Sequence, residues 1–108
     1  MGLLDVFKIE RVDINGVIEK MKSEPGAVLL DVRETDEYRS GHIPGSINLP
    51  LRNIAEALTM FPDKTAPIYT YCLSGSRSGK AVSILKAAGY KKVTNVGGIR
   101  GYQGALEQ

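Results

Sequence analysis

Short apolar runs alternate with amphipathic stretches along most of the chain. Residues 27–32, AVLLDV, are nearly all apolar, as expected of a strand covered on both faces. Residues 68–71, IYTY, are β-branched and aromatic and predict a second such strand, with Cys72 at its end. Shorter runs at 9–12, 46–49 and 93–96 predict three more. Between them, apolar residues spaced three and four apart mark helices. One carries Ile14, Val17, Ile18 and Met21 behind an N-cap at Asp13. Another carries Leu51, Ile54, Ala55 and Leu58 and stops before Pro62. The clearest covers 78–88, with Ala81, Val82, Leu85 and Ala88 inward and Gly89 at its stop. A short helix over 35–40 ends at Gly41, and another follows Gly97-Gly98.

Strands alternating with helices through short connections imply an α/β fold of three layers. Its mostly parallel five-stranded sheet would carry helices on both faces. The pattern shows no repeat, low-complexity tract or linker, so a single domain over residues 1–108 is expected. In such sheets ligands sit beyond the carboxyl ends of the strands, where Cys72 falls.

Composition narrows the function. The chain is 43% hydrophobic and 24% charged with a net charge of +2, and its longest basic run is Lys91-Lys92. That is too little for a nucleic-acid footprint. No stretch has the length of a membrane span, and Asp5, Lys8, Glu10 and Arg11 interrupt the apolar character that a signal peptide would need. Val6 stands where a myristoylation signal wants Ser or Thr. The single cysteine has no internal disulfide partner, which suits a reducing cytoplasm.

The chemistry centres on residues 71–81, YCLSGSRSGKA. A P-loop would need glycine where Ser74 stands and a hydroxyl where Ala81 stands, so nucleotide binding is set aside. Gly98, Gly101 and Gly104 lack the spacing of a dinucleotide fingerprint. A nucleophile fits better. Small residues after a strand let successive amides turn inward into an anion-binding nest at a helix N-terminus. Amides, helix dipole and the Arg77 guanidinium would all favour the Cys72 thiolate, the attacking form. A buried, inert cysteine is the competing reading, and four polar neighbours and a glycine count against it. His42, the only histidine, is read as a turn residue bonded to backbone rather than as a base for Cys72.

Three segments together carry a resemblance: LLDVRETDEYRSGHIPGSINLP (29–50), YCLSGSRS (71–78) and GGIRGYQGAL (97–106). In that order they resemble a single-domain rhodanese, a sulfurtransferase family. The resemblance implies a five-stranded α/β sheet and a catalytic Cys72 that takes the outer sulfur of thiosulfate, releases sulfite and holds a persulfide. It implies that Leu73, Ser74, Gly75, Ser76, Arg77 and Ser78 bind the substrate, with Arg77 as the loop arginine. Asp31 and Arg33 would hold the site together, and Tyr102 stands where the family usually has tryptophan. No metal or cofactor is implied. Partners would be a small anionic sulfur donor, a thiol or cyanide acceptor and a sulfur-relay protein, with no nucleic acid or membrane. The family also includes persulfide carriers, binding modules, and phosphatases or arsenate reductases. Cysteine phosphatases of this fold carry C-x5-R, whereas Cys72 and Arg77 here are C-x4-R.

Overall fold

The computed structural model describes residues 12–108. Within them, strands β1 (Val28–Asp31), β2 (Ile47–Asn48), β3 (Ile68–Cys72) and β4 (Val93–Gly98) form one sheet in the order β2-β1-β3-β4. Every pairing is parallel. The described sheet thus has four strands rather than five. The fifth expected strand, at 9–12, lies outside the described residues but for Val12, which is in no strand.

Parallel neighbours need crossovers, and these cover both faces. Strand alternation sorts the side chains. Leu30, Ile68, Cys72 and Val93 share one face with Ile54, Ala57, Ala81, Leu85 and Tyr90. Leu29, Tyr69, Tyr71 and Val96 share the other with Ile14, Val17 and Ile43. β3 is buried at all five positions, so it must be apolar or internally hydrogen-bonded on both sides. Thr70 meets that demand by donating to the Ser78 carbonyl at 3.2 Å.

Helix α1 spans Val17–Met21, shorter than the pattern predicts. Asp13 closes a turn instead of capping a helix: its Oδ1 accepts the amides of Asn15 at 3.0 Å and Gly16 at 2.9 Å. The apolar stripe still faces the sheet, with Ile14 and Val17 buried and Ile18 and Met21 packed beside them. Helix α2 (Thr35–Ser40) has the expected bounds and a capping box, in which Glu37 accepts the Glu34 amide at 2.9 Å.

The third stripe differs. After Pro50 the chain runs as a 3-10 helix over Leu51–Glu56 and only then as α3 (Ala57–Met60). A 3-10 helix repeats every three residues, so the inward positions become Ile54 and Ala57, while Ala55 and Leu58 face solvent. The Tyr90 hydroxyl fixes α3 from below, lying 2.8 Å from the Ala57 carbonyl and 2.7 Å from that of Phe61.

Helix α4 (Ser76–Ala87) packs Ala81 and Leu85 onto the sheet beside β3. Full burial of one leucine contributes roughly 1.5–3 kcal/mol, so Leu85 anchors the C-terminal half of α4 to the sheet. A final 3-10 turn, Ile99–Gly101, follows β4. Among the described residues no helix is long and apolar enough to cross a membrane.

Candidate active site

Strand β3 delivers Cys72 to the carboxyl end of the sheet. The chain then turns through Leu73, Ser74 and Gly75 directly into α4. The helix therefore starts two residues earlier than expected, and Arg77 and Ser78 ride on its first turn instead of in the loop. Gly75 makes this sharp entry with φ +104°, a left-handed conformation in which a Cβ would be strained. Its amide points back at the sulfur, 3.0 Å from Sγ.

Cys72 is 1% exposed, which alone would push its thiol up. Against that burial stand a hydrogen bond from the Ser78 hydroxyl and amide bonds from Ser78, Gly75 and Ser74. These donors prevail, and the Cys72 thiol is held below its ordinary range. The N-terminus of the twelve-residue α4 adds its dipole at the same spot. The sulfur therefore sits in a nest that stabilises negative charge.

Strand β4 braces this nest from behind. Its register against β3 slips between Thr70 and Tyr71, so that Thr70 faces Asn95 while Tyr71 faces Gly97. The bulge turns Asn95 toward the loop. Asn95 Nδ2 donates to the Gly75 carbonyl at 2.9 Å. Its Oδ1 accepts the Gly97 amide at 2.9 Å and lies 2.7 Å from Ser78 Oγ. Gly98 backs onto the loop so closely that a Cβ would overlap the Leu73 carbonyl oxygen and come within 2.6 Å of Ser74 Cα. Sequence reasoning passed over Asn95 and read Gly98 only as a turn or packing glycine, without its place behind the loop. Asparagine inside a strand, next to paired glycines, was the available signal.

The remaining expected residues fall as follows. Ser74 and Ser76 are exposed at the rim, and Leu73 is half-buried with its carbonyl accepting the Arg100 amide at 3.3 Å. Arg77 is not a free guanidinium. Its Nη1 and Nη2 donate to the two carboxylate oxygens of Glu37, at 2.7 and 3.0 Å. That pairing is the main reason the Glu37 carboxyl falls to about 2. The charge of Cys72 adds, more weakly than Glu37, to the stabilisation of the Arg77 cation.

Asp31 and Arg33 form a buried ion pair, 2.6 Å from Nη2 to Oδ2, and Arg33 Nη2 also donates to the Gly41 carbonyl at 2.8 Å. They tie β1 to the end of α2, a structural role. His42 stacks on Tyr38 at 3.7 Å, and its Nδ1 lies 2.8 Å from the Tyr38 carbonyl. A carbonyl only accepts, so Nδ1 carries the proton. The Nδ1 bond to backbone is as expected, but His42 sits in an antiparallel bridge with Glu107 rather than in the turn, and its Nε2 lies 4.0 Å from a Glu107 carboxylate oxygen. Tyr102 packs at the edge of the core on the α1 face. Among the described residues no three His, Cys, Asp or Glu side chains gather as a metal would require.

Residues 15–105 match the Rhodanese-like domain family. The chain is 40% identical over 72 residues to thiosulfate sulfurtransferase PspE of Escherichia coli (strain K12), covering 66% of this chain and 69% of that protein. It is 35% identical over 100 residues to the putative sulfur carrier protein YrkF of Bacillus subtilis (strain 168). There it covers 92% of this chain but spans only 54%, about half, of the relative. Among solved structures, one described as rhodanese with anions from E. coli superposes with a TM-score of 0.70 at 35% identity, over 76% of this chain and 98% of that one.

Proposed function

The chain belongs to the rhodanese-like family, and from that premise we propose that it is a sulfurtransferase working through a persulfide on Cys72. One observation carries the reading: a buried sulfur faced by the amides of Ser74, Gly75 and Ser78 and by the Ser78 hydroxyl, at the start of a long helix. Such a nest holds a thiolate ready to attack, and afterwards holds the terminal sulfur of the product.

With thiosulfate as donor, the Cys72 thiolate attacks the outer sulfur. The sulfur–sulfur bond to the sulfonate breaks, and sulfite leaves with the electron pair. The persulfide then yields its terminal sulfur to a thiol or cyanide, and the thiolate returns. No electrons are gained or lost overall, and the cycle needs no cofactor. The backbone of Leu73, Ser74, Gly75 and Ser76 lines the position that the donor anion would take, with Arg77 and Ser78 behind it on α4. A reducing cytoplasm would keep the single thiol available.

Similarity to a protein named as a putative sulfur carrier supports a second reading, in which the persulfide passes to a partner protein. Steady-state transfer from thiosulfate to cyanide, beside transfer to a thiol and to a protein acceptor, separates the two. Turnover with cyanide that vanishes in Cys72→Ser supports the enzyme. Transfer confined to a protein acceptor supports the carrier, and no Cys72-dependent transfer at all overturns both.

A further inference from the structure

Arg77 reaches the site with its charge already cancelled. Glu37 accepts from both Nη nitrogens, and its Oε1 also accepts the Glu34 amide that caps α2. The carboxylate is therefore fixed from two sides before any donor arrives. Its neighbours, Asp31 and Arg33, form a second closed pair. The two pairs also sense each other, since Arg33 is among the charges that lower Glu37 and Asp31 among those that raise Arg77. These four groups sum to zero, and the thiolate is the net charge left beside them. Lys80 lies one turn along α4, and Arg100 follows β4 beside Leu73. Both side chains are exposed, so solvent and salt screen them.

We propose that Glu37 is a specificity-determining residue: by neutralising Arg77 it leaves the Cys72 nest without net positive charge, and so selects an alkyl persulfide over a dianionic donor such as thiosulfate. This rests on the sulfurtransferase reading. The step is an exchange between a thiolate and a persulfide. Cys72 sulfur bonds to the terminal sulfur of R–S–S⁻, the bond to the inner sulfur breaks, and R–S⁻ leaves with the pair. Nothing is oxidised or reduced overall. Thiolate meeting a monoanion suffers half the Coulomb repulsion of thiolate meeting a dianion, and a neutral hydropersulfide suffers none. The amides of the nest and the helix dipole attract either anion. They are the same in wild type and in the Glu37 variants, so a change between these proteins isolates the charge that Glu37 sets. Charge therefore decides the preference, and Glu37 sets the charge.

The test compares kcat/KM for thiosulfate with kcat/KM for 2-mercaptoethanol persulfide, whose one ionisable group is the persulfide. Both are measured on the same preparations of wild type, Glu37→Gln and the double variant Glu37→Gln/Arg77→Gln. Glutamine still accepts the Glu34 amide, so the α2 cap survives. A ratio taken on one preparation is unaffected by any loss of folded protein. The wild type should prefer the persulfide. The thiosulfate-to-persulfide ratio should rise about tenfold in Glu37→Gln at low ionic strength, as an uncovered charge at an effective dielectric near 20 allows. The gain should shrink with added salt. The double variant, neutral again, should return to within about twofold of wild type.

A ratio that is unchanged or falls in Glu37→Gln, or that stays high in the double variant, overturns the inference while leaving sulfur transfer intact. No Cys72-dependent turnover with either donor overturns the sulfurtransferase reading itself. Substituting a persulfide-loaded cysteine desulfurase for the small persulfide distinguishes a protein source from a small-molecule one. A rate above that of thiosulfate from either source supports the proposal.

Discussion

The Ser78 hydroxyl stands 3.4 Å from Cys72 Sγ, yet it has one proton and two closer acceptors. Asn95 Oδ1 is 2.7 Å away and the Gly75 carbonyl 3.1 Å. While Cys72 is a thiol, the short bond to Asn95 holds that proton, and the thiol can donate to Ser78 Oγ. Once the thiolate forms, a charged acceptor outbids neutral ones, since hydrogen bonds to ions are roughly twice as strong. Rotation of the Ser78 hydroxyl then follows the charge on the sulfur.

Ser78→Ala removes this donor with almost no change in shape. The Cys72 thiol should move up toward its ordinary range, and alkylation by iodoacetamide at neutral pH should slow by about tenfold, the worth of one hydrogen bond to a charged group. The pH profile of the alkylation rate checks this. An unshifted profile would mean that the amides alone hold the thiolate.

Gly98→Ala tests the close approach behind the loop. The added Cβ meets backbone, at Leu73 and Ser74, and no side-chain rotation relieves it. The loop must shift, and overpacking of this kind costs about 1–3 kcal/mol. Sulfur transfer should fall at least tenfold, more than the loss of stability explains, because the amides of the nest move off the sulfur. Urea unfolding of the same variant measures the stability share. Full activity would show that the nest does not depend on β4.

Glu37 makes stability depend on acid. Its folded carboxyl titrates at about 2 against an ordinary 4.5, chiefly through Arg77. The folded chain binds that proton less readily than the unfolded chain, so the pair's contribution is complete above about 4.5 and is lost as pH falls toward 2. Both side chains are partly exposed, and screening reduces the contribution to about 1 kcal/mol. Glu37→Gln should be less stable than wild type by that amount at pH 7, with the two curves converging only as pH falls below about 2. Parallel curves across that range would contradict the assignment.

The sequence made β3 legible because IYTYC is β-branched and aromatic with no competing period, and this placed Cys72 at a strand end. The start of α4 was less so. SGSRSG contains no residue that forces a helix to begin at one position, and the left-handed Gly75 makes the choice only in three dimensions. The stripe over 51–60 misled because a helix of three residues per turn replaced one of 3.6, burying Ala57 in place of Leu58. Glu37 was invisible for a different reason. It belongs to α2 by its capping box, and nothing local announces a partner forty residues away at Arg77. Asn95 was readable in principle, as a residue poorly suited to strands placed before two glycines.

Phosphate chemistry is a separate check on the loop. With four residues between Cys72 and Arg77, and the Arg77 fork on Glu37, little remains for the three equatorial oxygens of a phosphoryl group. An aryl phosphate should not be hydrolysed, and vanadate should protect Cys72 from alkylation less well than a sulfur donor does. Cys72-dependent release of the phenol would reverse that conclusion.

The intact mass of the protein tests the central claim most directly. After incubation with thiosulfate or an alkyl persulfide and removal of excess donor, the mass should rise by one sulfur atom per chain. Cyanide should return it to the starting value with release of thiocyanate. Cys72→Ser should stay unchanged throughout. An unmodified wild-type mass under donor excess, or the same adduct on Cys72→Ser, would contradict a persulfide on Cys72.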